Sequence, residues 1–202
     1  MVLTMTAFLV AEQRNWRLGK WLFKPLASAA FVVAAATAPQ AISTAYGRWV
    51  LIALALSWLG DVLLIPRSHA AFRLGLGSFL VAHLGFAAAF VARGVALPAT
   101  AVAGAVAALV AWPVARWLVP HVSTSLRLPV AAYMIAISTM VALAVGTTIA
   151  QPRPLILVAA LAFYVSDLSV ARDRFVAPGF VNRLWGIPLY YAAQILFAAS
   201  LG

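Results

Sequence analysis

Only four acidic residues occur in the 202-residue chain, Glu12, Asp61, Asp167 and Asp173, and two of them stand inside long apolar runs. Asp61 lies within Leu56-Ser57-Trp58-Leu59-Gly60-Asp61-Val62-Leu63-Leu64, and Asp167 within Phe163-Tyr164-Val165-Ser166-Asp167-Leu168-Ser169-Val170. An Asp at the centre of a translocon-inserted helix costs on the order of 2.5 to 3.5 kcal/mol, so such a residue faces a bundle interior or a wet cavity and not lipid. Both fall near the same end of spans that run in the same direction, so their depths match and a shared pocket follows. Two carboxyls in one apolar crevice divide the work of acid–base chemistry, because burial and mutual repulsion keep one neutral while the other stays charged. The alternative is structural, with each Asp closing the last turn of its helix or pairing with Arg67 or Arg172. A carboxylate near a helix C-terminus meets the negative end of the macrodipole, which counts against plain capping.

Other polar side chains reach similar depths from neighbouring runs: Lys24 beside Pro25, His83 in the middle of Leu80-Val81-Ala82-His83-Leu84, and Tyr190, Tyr191 and Gln194 near the C-terminus. Each has an ordinary use. Lys24 can snorkel to headgroups, His83 can donate to a backbone carbonyl, and Tyr or Gln can join helices. Together with two acids they describe a polar cavity. Ser28, Ser57, Ser78 and Ser138 read as packing residues, Glu12 and Asp173 fall in basic loops, and Asp173, His69 and His121 read as loop residues with nothing to recommend them. The chain has no Cys, which excludes thiolate chemistry and disulfides. It also has no GxSxG, no HExxH, no phosphate-binding Walker loop and no His and acid cluster at metal-ligand spacing.

The elements that must position these groups are membrane helices. Of the residues, 65% are hydrophobic and 9% charged, with mean hydropathy +1.03, whereas a soluble domain carries roughly 25% charged residues. The net charge of +10 would suit a nucleic-acid binder, but the cations sit singly or in small groups between apolar stretches, as membrane loop charges do. No nucleic-acid partner is expected. Spanning a core of ~30 Å takes ~20 apolar residues in a helix. Seven runs qualify: Trp21 to Ala38, Tyr46 to Ile65, Leu74 to Ala92, Leu97 to Val119, Leu126 to Ile149, Pro154 to Ala171 and Leu184 to Leu201. Val2 to Ala11 is a short eighth candidate that covers about half the core at ~1.5 Å per residue. Residues 1–202 therefore read as a single all-α transmembrane helical domain, a polytopic bundle of about eight helices.

Alternate loops differ in charge. One set holds Arg14, Arg17, Lys20, Lys24, Arg67, Arg73, Arg116, Arg127, Arg172, Arg174 and Arg183, and the other only Arg48, Arg93 and Arg153. The positive-inside rule places the first set, and with it the polar pocket, on the cytoplasmic side of a bacterial inner membrane, with both termini outside if the first segment crosses. Trp21, Trp49, Trp117 and Trp185 mark span ends. A faint internal echo joins Phe23-Lys24-Pro25-Leu26-Ala27 to Arg127-Leu128-Pro129-Val130-Ala131, Gly60-Asp61 to Ser166-Asp167, and His83 to Gln194. A four-plus-four parallel repeat would produce such an echo, its halves related by an axis along the membrane normal.

Taken in order, Lys24-Pro25-Leu26, Gly60-Asp61 with Leu64, Phe72, Gly75, Phe79-Leu80, His83, Pro129-Val130 with Tyr133, Ser166-Asp167, and Tyr190-Tyr191 with Gln194 form a set that resembles the YhhN family, membrane proteins whose characterised members are lysoplasmalogenases. Two places depart from that pattern: Phe86 stands where an aromatic hydroxyl is usual, and Leu168-Ser169-Val170-Ala171-Arg172 replaces a smoother apolar run containing an Asn. The resemblance implies cleavage of the vinyl ether bond of a lysoplasmalogen, giving a fatty aldehyde and a glycerophospho-alcohol, with no cofactor and no metal. It implies Asp61 and Asp167 as the catalytic pair. Lys24, His83, Tyr133, Ser166, Tyr190, Tyr191 and Gln194 become substrate-binding residues, and the partners become a lysophospholipid and the surrounding membrane lipids. Vinyl ethers cleave through protonation of the outer alkene carbon and an oxocarbenium ion, which calls for one neutral and one charged carboxyl, the division of labour glycosidases use. On residue chemistry alone a proton-coupled carrier fits nearly as well, since it too needs paired intramembrane acids and a wet cavity. A lipid-binding scaffold without turnover is a third reading.

Overall fold

The computed structural model describes residues 1–66 and 68–202; Arg67, weighed above as a partner for Asp61, lies outside the described residues. These residues form helices and no strand: α1 (Val2–Gln13), α2 (Arg17–Ala36), α3 (Ala45–Leu63), α4 (His69–Arg93), α5 (Leu97–Leu118), α6 (Thr124–Ala150), α7 (Pro154–Ala171) and α8 (Phe180–Ala199). A 3-10 turn at Val119–His121 follows α5, and a π-helical turn at Arg172–Val176 continues α7.

Local chemistry sets the ends. Thr44 accepts from the Gly47 amide at 2.9 Å and Ser68 from the Ala71 amide at 3.1 Å, so α3 and α4 begin on side-chain caps. Prolines at the first turns of α5 and α7 need no amide partner there. Gly94, at φ 103°, ends α4 in a conformation that a residue with a Cβ rarely takes.

Six helices, α2 to α7, are long and apolar enough to cross a membrane. The expectation of about eight spans is met by eight helices of which two fall short of that standard. α1 has 12 residues, about 18 Å of helix against a core of ~30 Å, so it falls short of a full span by length. α8 has 20 residues, but Asn182, Arg183, Tyr190, Tyr191 and Gln194 interrupt its apolar sequence. Pro113 lies well inside α5. The helices start earlier than the apolar runs do, which puts Pro25, Pro129 and Pro188 inside α2, α6 and α8 as well.

Packing follows one pattern in both halves. α1 packs on α2 and α5 on α6; α2 on α3 and α6 on α7; α3 on α4 and α7 on α8; α2 meets α8, and α6 meets α4. Most neighbours thus match between the halves, while α8 also packs on α1 and α3. Buried aromatics fill the centre, among them Phe31, Phe86, Phe90, Phe163 and Phe197. Phe86, the departure noted above, stacks on Phe197 with ring centroids 4.1 Å apart, so this position serves packing. Gly186 lets α8 approach α7 closely near Asp167: a Cβ there would stand 1.6 Å from the Ser169 hydroxyl of α7. At the periphery, α5 buries only Leu118 and leaves Leu109 and Trp112 exposed, as suits a helix facing lipid.

Candidate active site

A cavity of about 830 Å³ enters the bundle from the end that carries Glu12, Arg17, Asp173 and Arg183. Asp61 and Asp167 both line it, and its apolar wall continues through Leu76, Leu118, Val130, Met134 and Ile137. The intramembrane acids therefore face a common space.

Asp61, near the end of α3, is 3% exposed and densely partnered. The Lys24 ammonium of α2 stands 3.3 Å from Oδ1. Oδ2 accepts from the Ser28 hydroxyl and from the Tyr190 hydroxyl, each at 2.6 Å. With the Ser28 proton committed to Asp61, Tyr191 supplies its own hydrogen to Ser28 at 3.0 Å. A setting made of donors alone suits a carboxylate, which accepts at both oxygens, and one turn of α2 separates Lys24 from Ser28, which lets one helix face serve both oxygens.

Asp167, near the end of α7, has a sparser setting. The Tyr133 hydroxyl of α6 donates to Oδ2 at 2.6 Å. The Nε2 of His83, on α4, lies 3.6 Å from the same oxygen. His83 is fully buried, and its Nδ1 is 2.7 Å from the Phe79 carbonyl; a carbonyl only accepts, so Nδ1 carries a hydrogen, and in the neutral ring Nε2 presents a lone pair. Nε2 has no hydrogen-bond partner. The imidazole is held between Phe163, 4.5 Å away, and Tyr133, 5.0 Å away, centroid to centroid. Phe163 in turn lies 5.5 Å from Tyr190, so an aromatic wall joins the surroundings of the two acids.

The service is crossed between the halves. Lys24 of α2 attends Asp61 of α3, and Tyr133 of α6 attends Asp167 of α7. The last helix of each half then reaches the other half's acid: Tyr190 of α8 goes to Asp61, and His83 of α4 to Asp167.

At the cavity mouth Glu12 pairs with Lys20 at 3.3 Å and with Arg183. Arg183 also meets Asp173 at 3.1 Å, and Asp173 accepts from the Gly179 amide at 2.8 Å. Arg172, considered above for Asp167, bonds Asn182 instead at 2.5 Å. The placing of Glu12 in a loop, and the reading of Asp173 as a loop residue with nothing to recommend it, are thus corrected: Glu12 is helical, and both acids line the cavity and tie α1, α2, α8 and the π turn together. Arg174 lies over Phe72, its guanidinium carbon 4.2 Å from the ring centroid.

Of the remaining expected residues, Tyr191 acts through Ser28. Ser166 lines the cavity but spends its hydroxyl on the Phe163 carbonyl at 2.8 Å. Gln194 is buried one turn beyond Tyr190 and off the cavity wall. Ser28 is a correction in the opposite sense. Read as a packing residue, it bonds Asp61, and its spacing of four from Lys24 was the available signal. Ser57 and Ser78 do return their hydroxyls to backbone carbonyls, of Ala53 and Leu56. Among the described residues no group of three or more His, Asp or Glu gathers as metal ligands would.

Fold and site together define a polytopic helical membrane protein with a carboxylate-lined cavity open at one end. The model of the YhhN family matches residues 19–201, and the chain belongs to that family. Over 184 residues it is 38% identical to proteins named lysoplasmalogenase from Mycobacterium bovis and Mycobacterium tuberculosis, covering 86% of this chain and 67% of each of theirs. It is 30% identical over 157 residues to the Bos taurus protein named lysoplasmalogenase TMEM86A, covering 75% of this chain and 64% of that one. No solved structure matches.

Proposed function

We propose that this chain hydrolyses the vinyl ether bond of a lysoplasmalogen, with Asp167 as the proton donor and Asp61 as the fixed anion. One observation carries the assignment: the two acids line one cavity, yet Asp61 is surrounded by donors while Asp167 faces a single donor and a lone pair. The names of the relatives support the substrate class.

The Asp167 carboxyl passes its proton to the outer alkene carbon, leaving an oxocarbenium ion and the Asp167 carboxylate. The Asp61 carboxylate, held in place by Lys24, Ser28 and Tyr190, stabilises that cation by charge without moving, the preorganised electrostatics that dominate such steps. Water adds to the cation, and the proton it releases restores Asp167. The resulting hemiacetal collapses to the fatty aldehyde and the glycerophospho-alcohol, so the net change is addition of one water. The apolar wall takes the hydrocarbon chain. Lys24 is engaged by Asp61, which leaves Arg17 and Arg174, mouth cations without a carboxylate partner among the described residues, to hold the phosphate. The basic end of the bundle faces the cytoplasm of a bacterial inner membrane by the charge asymmetry of the loops.

The test is aldehyde release from lysoplasmalogen by purified protein in detergent. Asp61→Asn and Asp167→Asn should each lower the rate by about 10²- to 10⁴-fold, the range for a lost acid–base group. A wild-type protein that leaves the lipid intact while moving protons or solutes in vesicles would make it a carrier. Near-normal turnover by either variant would remove that Asp from the mechanism.

A further inference from the structure

We infer that His83 is a positioning residue for the reaction proposed above: its Nε2 lone pair obliges the buried His83–Asp167 pair to hold one proton, and so keeps Asp167 loaded for transfer.

The inference starts from a polar atom with nothing to do. His83 is fully buried, and its Nε2 makes no hydrogen bond, although buried polar atoms are nearly always paired. The Nδ1 hydrogen is fixed on the Phe79 carbonyl at 2.7 Å, so the ring cannot turn or change tautomer without breaking that bond. Nε2 therefore aims a lone pair at Asp167 Oδ2, 3.6 Å away. Were Asp167 ionised and His83 neutral, a carboxylate oxygen and an imidazole lone pair would face each other, with the lone pair on a ring that has no contact with solvent. Tyr133 cannot relieve this, because it already gives its only hydroxyl hydrogen to the same oxygen. One proton on Asp167 converts the repulsion into an O–H to N attraction. At 3.6 Å that attraction is loose, so the proton is directed but not trapped.

His83 is not on the cavity wall, and Phe163 and Tyr133 flank its ring. It acts on substrate only through Asp167, which is why its replacement should alter the chemical step and not binding. When Asp167 has given its proton to the alkene carbon, the repulsive arrangement exists briefly. It then draws back the proton that water releases as it captures the cation, and no other reagent is needed.

The test uses the full chain in detergent with lysoplasmalogen as substrate. His83→Phe keeps the aromatic volume and removes the lone pair, and should lower kcat by about 10- to 100-fold with KM unchanged within about twofold. His83→Gln, whose side-chain oxygen reaches the place of Nε2 and accepts, should recover most of that loss. The protonated-carboxyl infrared band that disappears in Asp167→Asn should persist in His83→Gln and weaken in His83→Phe at the same pH. This readout needs no turnover, so it separates failure of the His83 role from failure of the proposed reaction. Wild-type kcat and an unchanged band in folded His83→Phe would overturn the inference. So would a His83→Gln no better than His83→Phe in either measurement, or a loss confined to KM.

Discussion

Two aspartates of similar depth, on equivalent helices and on one cavity, have been given opposite company. Asp61 sits among Lys24, Ser28 and Tyr190, all donors, with Tyr191 behind Ser28. Asp167 has Tyr133 as donor and the unprotonated face of His83. A carboxyl's role is therefore written by its neighbours and not by its own depth. Fixed donors hold a charge in place, whereas a lone pair and one donor hold a proton. Paired acids in other enzymes are separated by the same means, with one polar and one apolar setting.

This contrast breaks most visibly in stability. Asp61→Asn leaves the Lys24 ammonium unpaired in a nearly closed site and should cost about 3–5 kcal/mol, read by denaturant titration in detergent. Asp167→Asn strands no charge and should cost less than about 1 kcal/mol. Adding Lys24→Met to Asp61→Asn should return part of the loss, because the uncompensated charge is then gone. If the two Asn variants lose equal stability, the difference in their surroundings does not act as described.

A smaller effect separates the two tyrosines. Tyr190→Phe removes a hydrogen bond to a charged acceptor, about 1.5–3 kcal/mol, and Tyr133→Phe one to a neutral acid, about 0.5–1.5 kcal/mol. The same titrations rank them, and the reverse order would exchange the charge assignments of the two acids. The smallest expected change is at the mouth. Arg174→Gln should raise KM for a lysoplasmalogen by a few-fold, the scale of one exposed ionic contact, and leave turnover of an alkenylglycerol lacking phosphate unaltered. Equal effects on both substrates would show that Arg174 supports the π turn and not the headgroup.

Much of this was legible in the chain. An acid inside an apolar run has few physical excuses, so Asp61 and Asp167 stood out without any structure, and so did Lys24, His83 and Tyr190 once depth was compared. Partnership was not legible. Ser28 in an Ala-rich helix looks like a packing residue until Asp61, on another helix, is seen within reach of its hydroxyl. Glu12 and Asp173 looked like loop charges because the fold alone brings α1 and the π turn to Arg183. Helix ends were misjudged for a related reason: Arg17 and Lys20 end an apolar run but not a helix, so α2 begins before hydropathy says it does, and Pro25 falls inside it. Hydropathy also fails to count α8, because the polar residues that reach Asp61 and the cavity mouth, Tyr190, Asn182 and Arg183, are the ones that lower its score.

The crossed service of the two acids bears on how such a site could arise. A lone four-helix unit would offer its carboxyl one companion from its second helix, while its fourth helix reached toward nothing. Two identical units associated side by side would complete each other reciprocally, but symmetry would make both carboxyls alike, each forced into the same protonation compromise. Joining the units into one polypeptide lifts that constraint. A histidine can then serve one acid where a tyrosine serves the other, and a lysine can appear on one side alone, so a continuous chain can do with two unequal aspartates what a symmetric pair could not.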